Sequence, residues 1–140
     1  MFGVMKALLV LVLLFPAAVS PQKSPTKIPV LLSQSGDDQL GPIIAYKLKE
    51  IVSASLRYRL IDQGQEGALS EFYVFELISA DPYKTQNSGV ISYTVFKVDA
   101  SRRSILMGHH LVYSKLIYAD SAATTIMATA DKNIEAQGQP

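Results

Sequence analysis

The chain has 140 residues, 13 basic and 12 acidic side chains, a formal net charge of +1 and no cysteine. The missing cysteine excludes disulfides, thiol nucleophiles, thiolate metal sites and a lipidated cysteine. The near-neutral balance, with basic residues scattered except for Arg102 and Arg103, gives no long-range attraction to nucleic acid or anionic lipid.

Residues 1–20 carry one basic side chain, Lys6, then an uninterrupted apolar run of about nine residues, a helix break at Pro16 and small residues after it. This is the layout of a secretory signal peptide; the run is far shorter than the roughly 20 residues needed to span a bilayer. Cleavage after Ser20 would leave Pro21 at the new terminus, so an uncleaved amino-terminal anchor is the alternative, and it is the one route to membrane contact. A cysteine-free exported chain fits a bacterial periplasm. Residues 21–27, with two prolines and two lysines, read as a flexible linker.

The remainder, 28–136, is one domain's worth of chain. Residues 28–33 are a short apolar run whose Pro29 belongs at a strand start or on an edge. After a turn at 34–39, with Asp37 or Asp38 placed to accept backbone N–H groups, Leu40, Ile44, Leu48, Ile51, Val52 and Leu56 recur at threes and fours. That spacing predicts an amphipathic helix, with Pro42 tolerated in its first turn. Residues 57–62 read as a strand, and a strand, helix, strand unit with parallel strands should cross right-handed.

Residues 69–115 organise the rest. They contain three β-rich runs, 69–80, 90–99 and 105–114, separated by a nine-residue connector at 81–89 and a tight turn carrying Arg102 and Arg103. The alternation places Ile91, Tyr93 and Val95 on one face, and Met107, His109, Leu111 and Tyr113 on one face of the last strand. A final helix is expected over 119–136, its stripe formed by Ala122, Ala123, Ile126, Met127, Ala130 and Ile134, followed by a disordered tail at 137–140. The fold class expected is α+β: a two-layer sandwich with a mixed four- to five-stranded sheet, an antiparallel meander in the order β-α-β-β-β-β-α, and two helices packed against it.

The only two histidines, His109 and His110, invite a metal or catalytic reading. Adjacent residues in a regular strand point to opposite faces, so they cannot share one metal, and no HExxH spacing occurs. No GxSxG elbow or GxGxxG fingerprint is present, so no catalytic residue, metal or cofactor is assigned. Glu71 and Glu76 fall on opposite strand faces and do not form a carboxylate pair. The seven tyrosines cover apolar area while keeping a polar tip, a combination suited to protein interfaces. Tyr83, Tyr93, His109 and His110 are the candidate interface or pocket residues.

A strand, a turn with Asp37, Asp38 and Gly41, a helix leading through Ser55 into YRLID, then a meander and a closing helix, resembles the small amino-terminal domain of the periplasmic translocation protein TolB and related envelope domains. The matched stretch is about residues 28–62. The resemblance implies a two-layer domain that docks to other envelope proteins and is not itself an enzyme. No β-propeller repeats follow, so only the adaptor idea carries over. The function expected is a non-enzymatic periplasmic interaction domain whose partner is another envelope protein or a second copy. The alternative is a small-ligand binder or enzyme with a pocket between helix and sheet near His109 or His110.

Overall fold

The computed structural model describes residues 26–138. The expected signal peptide and all of the linker but residues 26 and 27 lie outside the described residues. Five strands form one open mixed sheet, β1 (Ile28–Ser35), β2 (Tyr58–Ile61), β3 (Phe72–Ala80), β4 (Ser88–Val98) and β5 (Ser104–Lys115), in spatial order β2-β1-β3-β4-β5. Two helices, α1 (Leu40–Ala54) and α2 (Ala119–Gly138), complete the α+β arrangement. No helix among the described residues is long and apolar enough to cross a membrane.

β1 pairs in parallel with β2 and β3, and β3, β4 and β5 form an antiparallel meander. Both helices cover the same face. Leu40, Ile44, Leu48 and Val52 of α1 join Ala123, Ile126, Ala130 and Ile134 of α2 over Val30, Phe75, Leu77, Ile91, Tyr93 and Val95. The alanines of α2 keep its axis near the sheet because there is little side chain to hold it off. β3, the middle strand, therefore alternates between two environments: Tyr73, Phe75 and Leu77 enter the core, while Phe72, Val74, Glu76 and Ile78 point away from the helices.

The start of α1 is fixed at one corner of the sheet. Asp38 Oδ1 accepts from the Gly41 amide at 3.3 Å and from Ser79 Oγ at 2.5 Å, so the start of α1 is tied to the end of β3. A side chain at residue 41 would overlap Ser79, which is why glycine stands there beside Pro42 in the first helical turn. At the opposite end Tyr58 donates its hydroxyl to Asp131 of α2, and Arg57 pairs with Glu135 at 2.6 Å.

The face away from the helices is only partly bare. After β2 the chain must pass β1 to reach β3, and with α1 already on one face the right-handed rule sends residues 62–71 across the other. Ile61 and Phe72, both on that second face and outside the main core cluster, are accordingly buried. Arg102 at the β4–β5 hairpin tip fastens this crossing by donating to the carbonyls of Glu66 and Gly67 at 3.0 and 2.9 Å.

Three expectations are corrected. The last helix runs on to Gly138, and Gln137, expected in a disordered tail, donates Nε2 to the Met107 carbonyl at 3.3 Å. A β-bulge at Val95/Phe96 pairs Val95 with Gly108 but Phe96 with Leu106, leaving Met107 as the extra residue. Met107 therefore turns into the core and Leu106 outward, the reverse of what strict alternation along 105–114 implies. The 81–89 connector is shortened as well, because β4 already starts at Ser88.

Candidate interaction surface

The open face is barest over its upper half, where the strand register assembles it row by row, although Leu106 at the lower end of β5 is also 55 % exposed. Ile78, Ser92 and Leu111 lie side by side on β3, β4 and β5; Ala80, Val90 and Tyr113 form the next row, and Glu76, Thr94 and His109 the row on the other side. Ile78 is 50 % exposed, Leu111 69 % and Tyr113 57 %. Large apolar side chains at this exposure, adjacent across three strands, form a patch and not scattered surface residues. The crossing at 62–71 stops short of it.

The two histidines separate as strand geometry requires. His109 lies on the open face, exposed, sharing a 2.9 Å hydrogen bond between its Nδ1 and Thr94 Oγ1. His110 lies on the helix face, stacked on Tyr93 with ring centroids 5.2 Å apart, and its Nε2 accepts from Asn133 Nδ2 at 3.1 Å. Asn133 also closes over Gly108, where a Cβ would collide with its amide. On the helix side His110 is therefore held between Tyr93 and Asn133, while the open-face row of Glu76, Thr94 and His109 faces outward between Ser33 and the edge of β5.

Tyr93, a candidate interface residue, is only 3 % exposed and belongs to the core. The same alternation that put it with Ile91 and Val95 decides this, because that face is the one the helices cover. Tyr83 is 74 % exposed at the tip of the 81–87 connector. Asp81 organises that connector: its carboxylate accepts the amides of Tyr83 at 3.2 Å and Gln86 at 2.6 Å. Lys84 and Gln86 adopt left-handed backbone with φ of 53° and 60°, a conformation non-glycine residues take only when surrounding contacts fix it. Tyr83 is consequently presented by a hydrogen-bonded loop.

At the far end of the sheet, Asp99 is held below the ordinary carboxylate range by the Arg103 amide and, against its own desolvation, by the Arg103 guanidinium. These bonds shape the hairpin tip and leave Arg102 free to reach the crossing. Sequence reading located the turn and missed the tether, since a 35-residue separation between Arg102 and Gly67 leaves no local signal.

No family model and no curated protein matches the sequence. Among solved structures, the PelC dodecamer from Paraburkholderia phytofirmans is similar at 15 % identity and a TM-score of 0.50, over 77 % of this chain and 86 % of that one. A hypothetical protein from Chlamydia trachomatis aligns at 9 % identity and a TM-score of 0.40, over 64 % of this chain and 71 % of that one. At such identities the PelC likeness is one of fold.

Proposed function

We propose that this chain is an exported envelope domain that works by docking to protein, through the bare upper half of its sheet, and not by catalysis. The observation that carries the reading is the exposed cluster of Ile78, Leu111 and Tyr113, set in register across β3, β4 and β5 on the face the helices leave open. Polar groups rim it: Glu76 and His109 on one side, Ser35 and the connector with Tyr83 on the other. An apolar centre with a polar rim and exposed tyrosines is the composition of an interface. Export is supported by the amino-terminal sequence pattern, and the adaptor role by the resemblance of residues 28–62 to TolB amino-terminal domains. The PelC neighbour being a dodecamer makes self-association a partner reading that fits the same face.

The reading is tested by placing a photo-crosslinking amino acid at Ile78, in the centre of the face, and at Tyr46, exposed on the helix layer. In cells producing the full chain, protein adducts are expected from Ile78 and not from Tyr46. Equal labelling, or none from Ile78, removes the docking face. Fractionation of the same cells checks export, with recovery in the cytoplasm as the contrary result.

A further inference from the structure

β5 is an edge strand of 12 residues, and its two halves are not alike. In an antiparallel pair each residue points both backbone groups either at the partner strand or away from it, in alternation. The Leu116 amide donates to the Asn87 carbonyl at 2.7 Å, which puts the even-numbered residues above the bulge on the β4 side. The odd-numbered ones, His109, Leu111 and Tyr113, direct their N–H and C=O groups outward; at Lys115 only the N–H is left, because its carbonyl accepts from Ser114 Oγ at 3.0 Å. Below them the edge is closed by the bulge and by α2, whose Gln137 occupies the Met107 carbonyl and whose Asn133 sits on Gly108. Residues 109–115 have neither a bulge nor a proline, two of the usual devices that stop a strand edge from pairing.

We infer that this free edge pairs with the same edge of a second copy, antiparallel and centred on Val112, joining two sheets into one ten-stranded sheet. The inference rests on the proposed reading of the uncovered sheet as an interaction surface, and names the partner. The register follows from the window. Pairing 109–115 with itself over its full length sets Val112 opposite Val112, Leu111 opposite Tyr113 and His109 opposite Lys115, and it matches outward-pointing residues with outward-pointing residues throughout. Sliding it toward the hairpin would bring Lys115 onto Met107, whose carbonyl is already taken.

Side chains agree on both faces. On the open face each Leu111 gains a Tyr113, an aliphatic–aromatic cross-strand pair, and the exposed patches of the two copies become continuous. Lys115 of one copy falls beside His109 of the other, at the end of the row that continues through Thr94 to Glu76. On the helix face an open groove of about 350 Å³ borders the edge, lined by Val112, Ser114, Tyr118, Ser121, Ala122 and Thr125. It receives the partner's side chains, and α2 lines it with small and hydroxyl-bearing residues next to Tyr118. Seven paired residues make a small contact, near or below the roughly 1,200 Å² lower limit of stable interfaces, so the dimer should dissociate on dilution.

The chain's lack of cysteine makes a direct test available. Val112 at the two-fold axis falls in a non-hydrogen-bonded pair, where Cα atoms are about 4.5 Å apart, within disulfide range. Val112→Cys in the full chain should oxidise to a covalent dimer, whereas Ile78→Cys, two strands inward on each copy, should not. Leu111→Pro removes an outward N–H at a position where an edge strand tolerates proline; by sedimentation it should weaken dimerisation at least tenfold with an unchanged circular dichroism spectrum. A wild-type chain that stays monomeric at every concentration overturns the inference. So does cross-linking of Ile78→Cys in place of Val112→Cys, which would keep the docking face and reject edge pairing. Photo-adducts from position 111 to a different polypeptide, with none to the chain itself, likewise overturn the second-copy assignment. A covalent Val112→Cys dimer without any protein adduct from Ile78 in cells would uphold the edge pairing and remove the docking face.

Discussion

Tyr58 shows how one side chain links the two halves of the molecule. Its ring is buried beneath α2 and its hydroxyl reaches Asp131, which Arg57 also approaches at 3.5 Å. Burial, together with the hydrogen bond to Asp131 and that carboxylate's charge, pushes the phenol well above its ordinary value near 10.0. Tyr58→Phe keeps the ring and loses the bond, and should cost about 1–2 kcal/mol in urea denaturation. The pH dependence has a definite sign. Because the folded state holds this proton more tightly than the unfolded chain, the stabilisation is complete below pH 10 and is lost as pH rises beyond it. The wild-type advantage over Tyr58→Phe should therefore be constant from neutral pH to about 10 and shrink above it; an advantage that grows with alkalinity would contradict the assignment. None of this was visible in the sequence, where Tyr58 and Asp131 lie 73 positions apart.

At the scale of elements, the sequence was most legible where periodicity is long and faces are uniform. The apolar stripe of α1 from Leu40 to Val52, the alternation of Ile91, Tyr93 and Val95, and the parallel unit of β1 and β2 stand as the pattern implied, whereas Leu56, expected to end that stripe, lies past the helix at Ala54 and is 89 % exposed. Legibility failed at the bulge, because one extra residue, Met107, reverses the faces of the residues before it and leaves no compositional mark. It also failed at the helix end, where Gln137 is polar yet ordered by a single backbone carbonyl. The histidine pair was readable as two separate residues because strand geometry alone divides them; which of the two would be covered depended on where α2 lands.

Two element-scale variants test the packing. Gly41→Ala drives a methyl into Ser79 at the corner that joins α1 to β3, and should destabilise the fold by about 1–3 kcal/mol in chemical denaturation. Gly67→Ala, where an added Cβ meets nothing within 4 Å, is the matched control and should be near neutral. In the connector, Asp81→Ala removes the acceptor for the amides of Tyr83 and Gln86. Hydrogen exchange at 83–87 should then accelerate several-fold while the β3 and β4 amides keep their protection, since local opening need not involve the core. Unchanged exchange in the connector would mean that Asp81 does not organise it.

For the molecule as a whole, the decisive asymmetry lies between the faces of one sheet. One face carries two helices and the main core; the other is covered below at β2 and β3 by the 62–71 crossing, which the Arg102 tether fastens, and is bare above. Sequence alone predicted the two-layer class, yet could not say which side chains the second layer would miss, because that depends on the crossover and on the bulge together. The docking account stands on that exposed remainder. Its most direct test is hydroxyl-radical footprinting of the protein in intact envelopes against the purified chain at high dilution. The account predicts that Ile78, Leu111 and Tyr113 become protected in the envelope while Tyr46 and Leu56, exposed elsewhere, react equally in both. Equal reactivity of Ile78, Leu111 and Tyr113 in the two samples would contradict it.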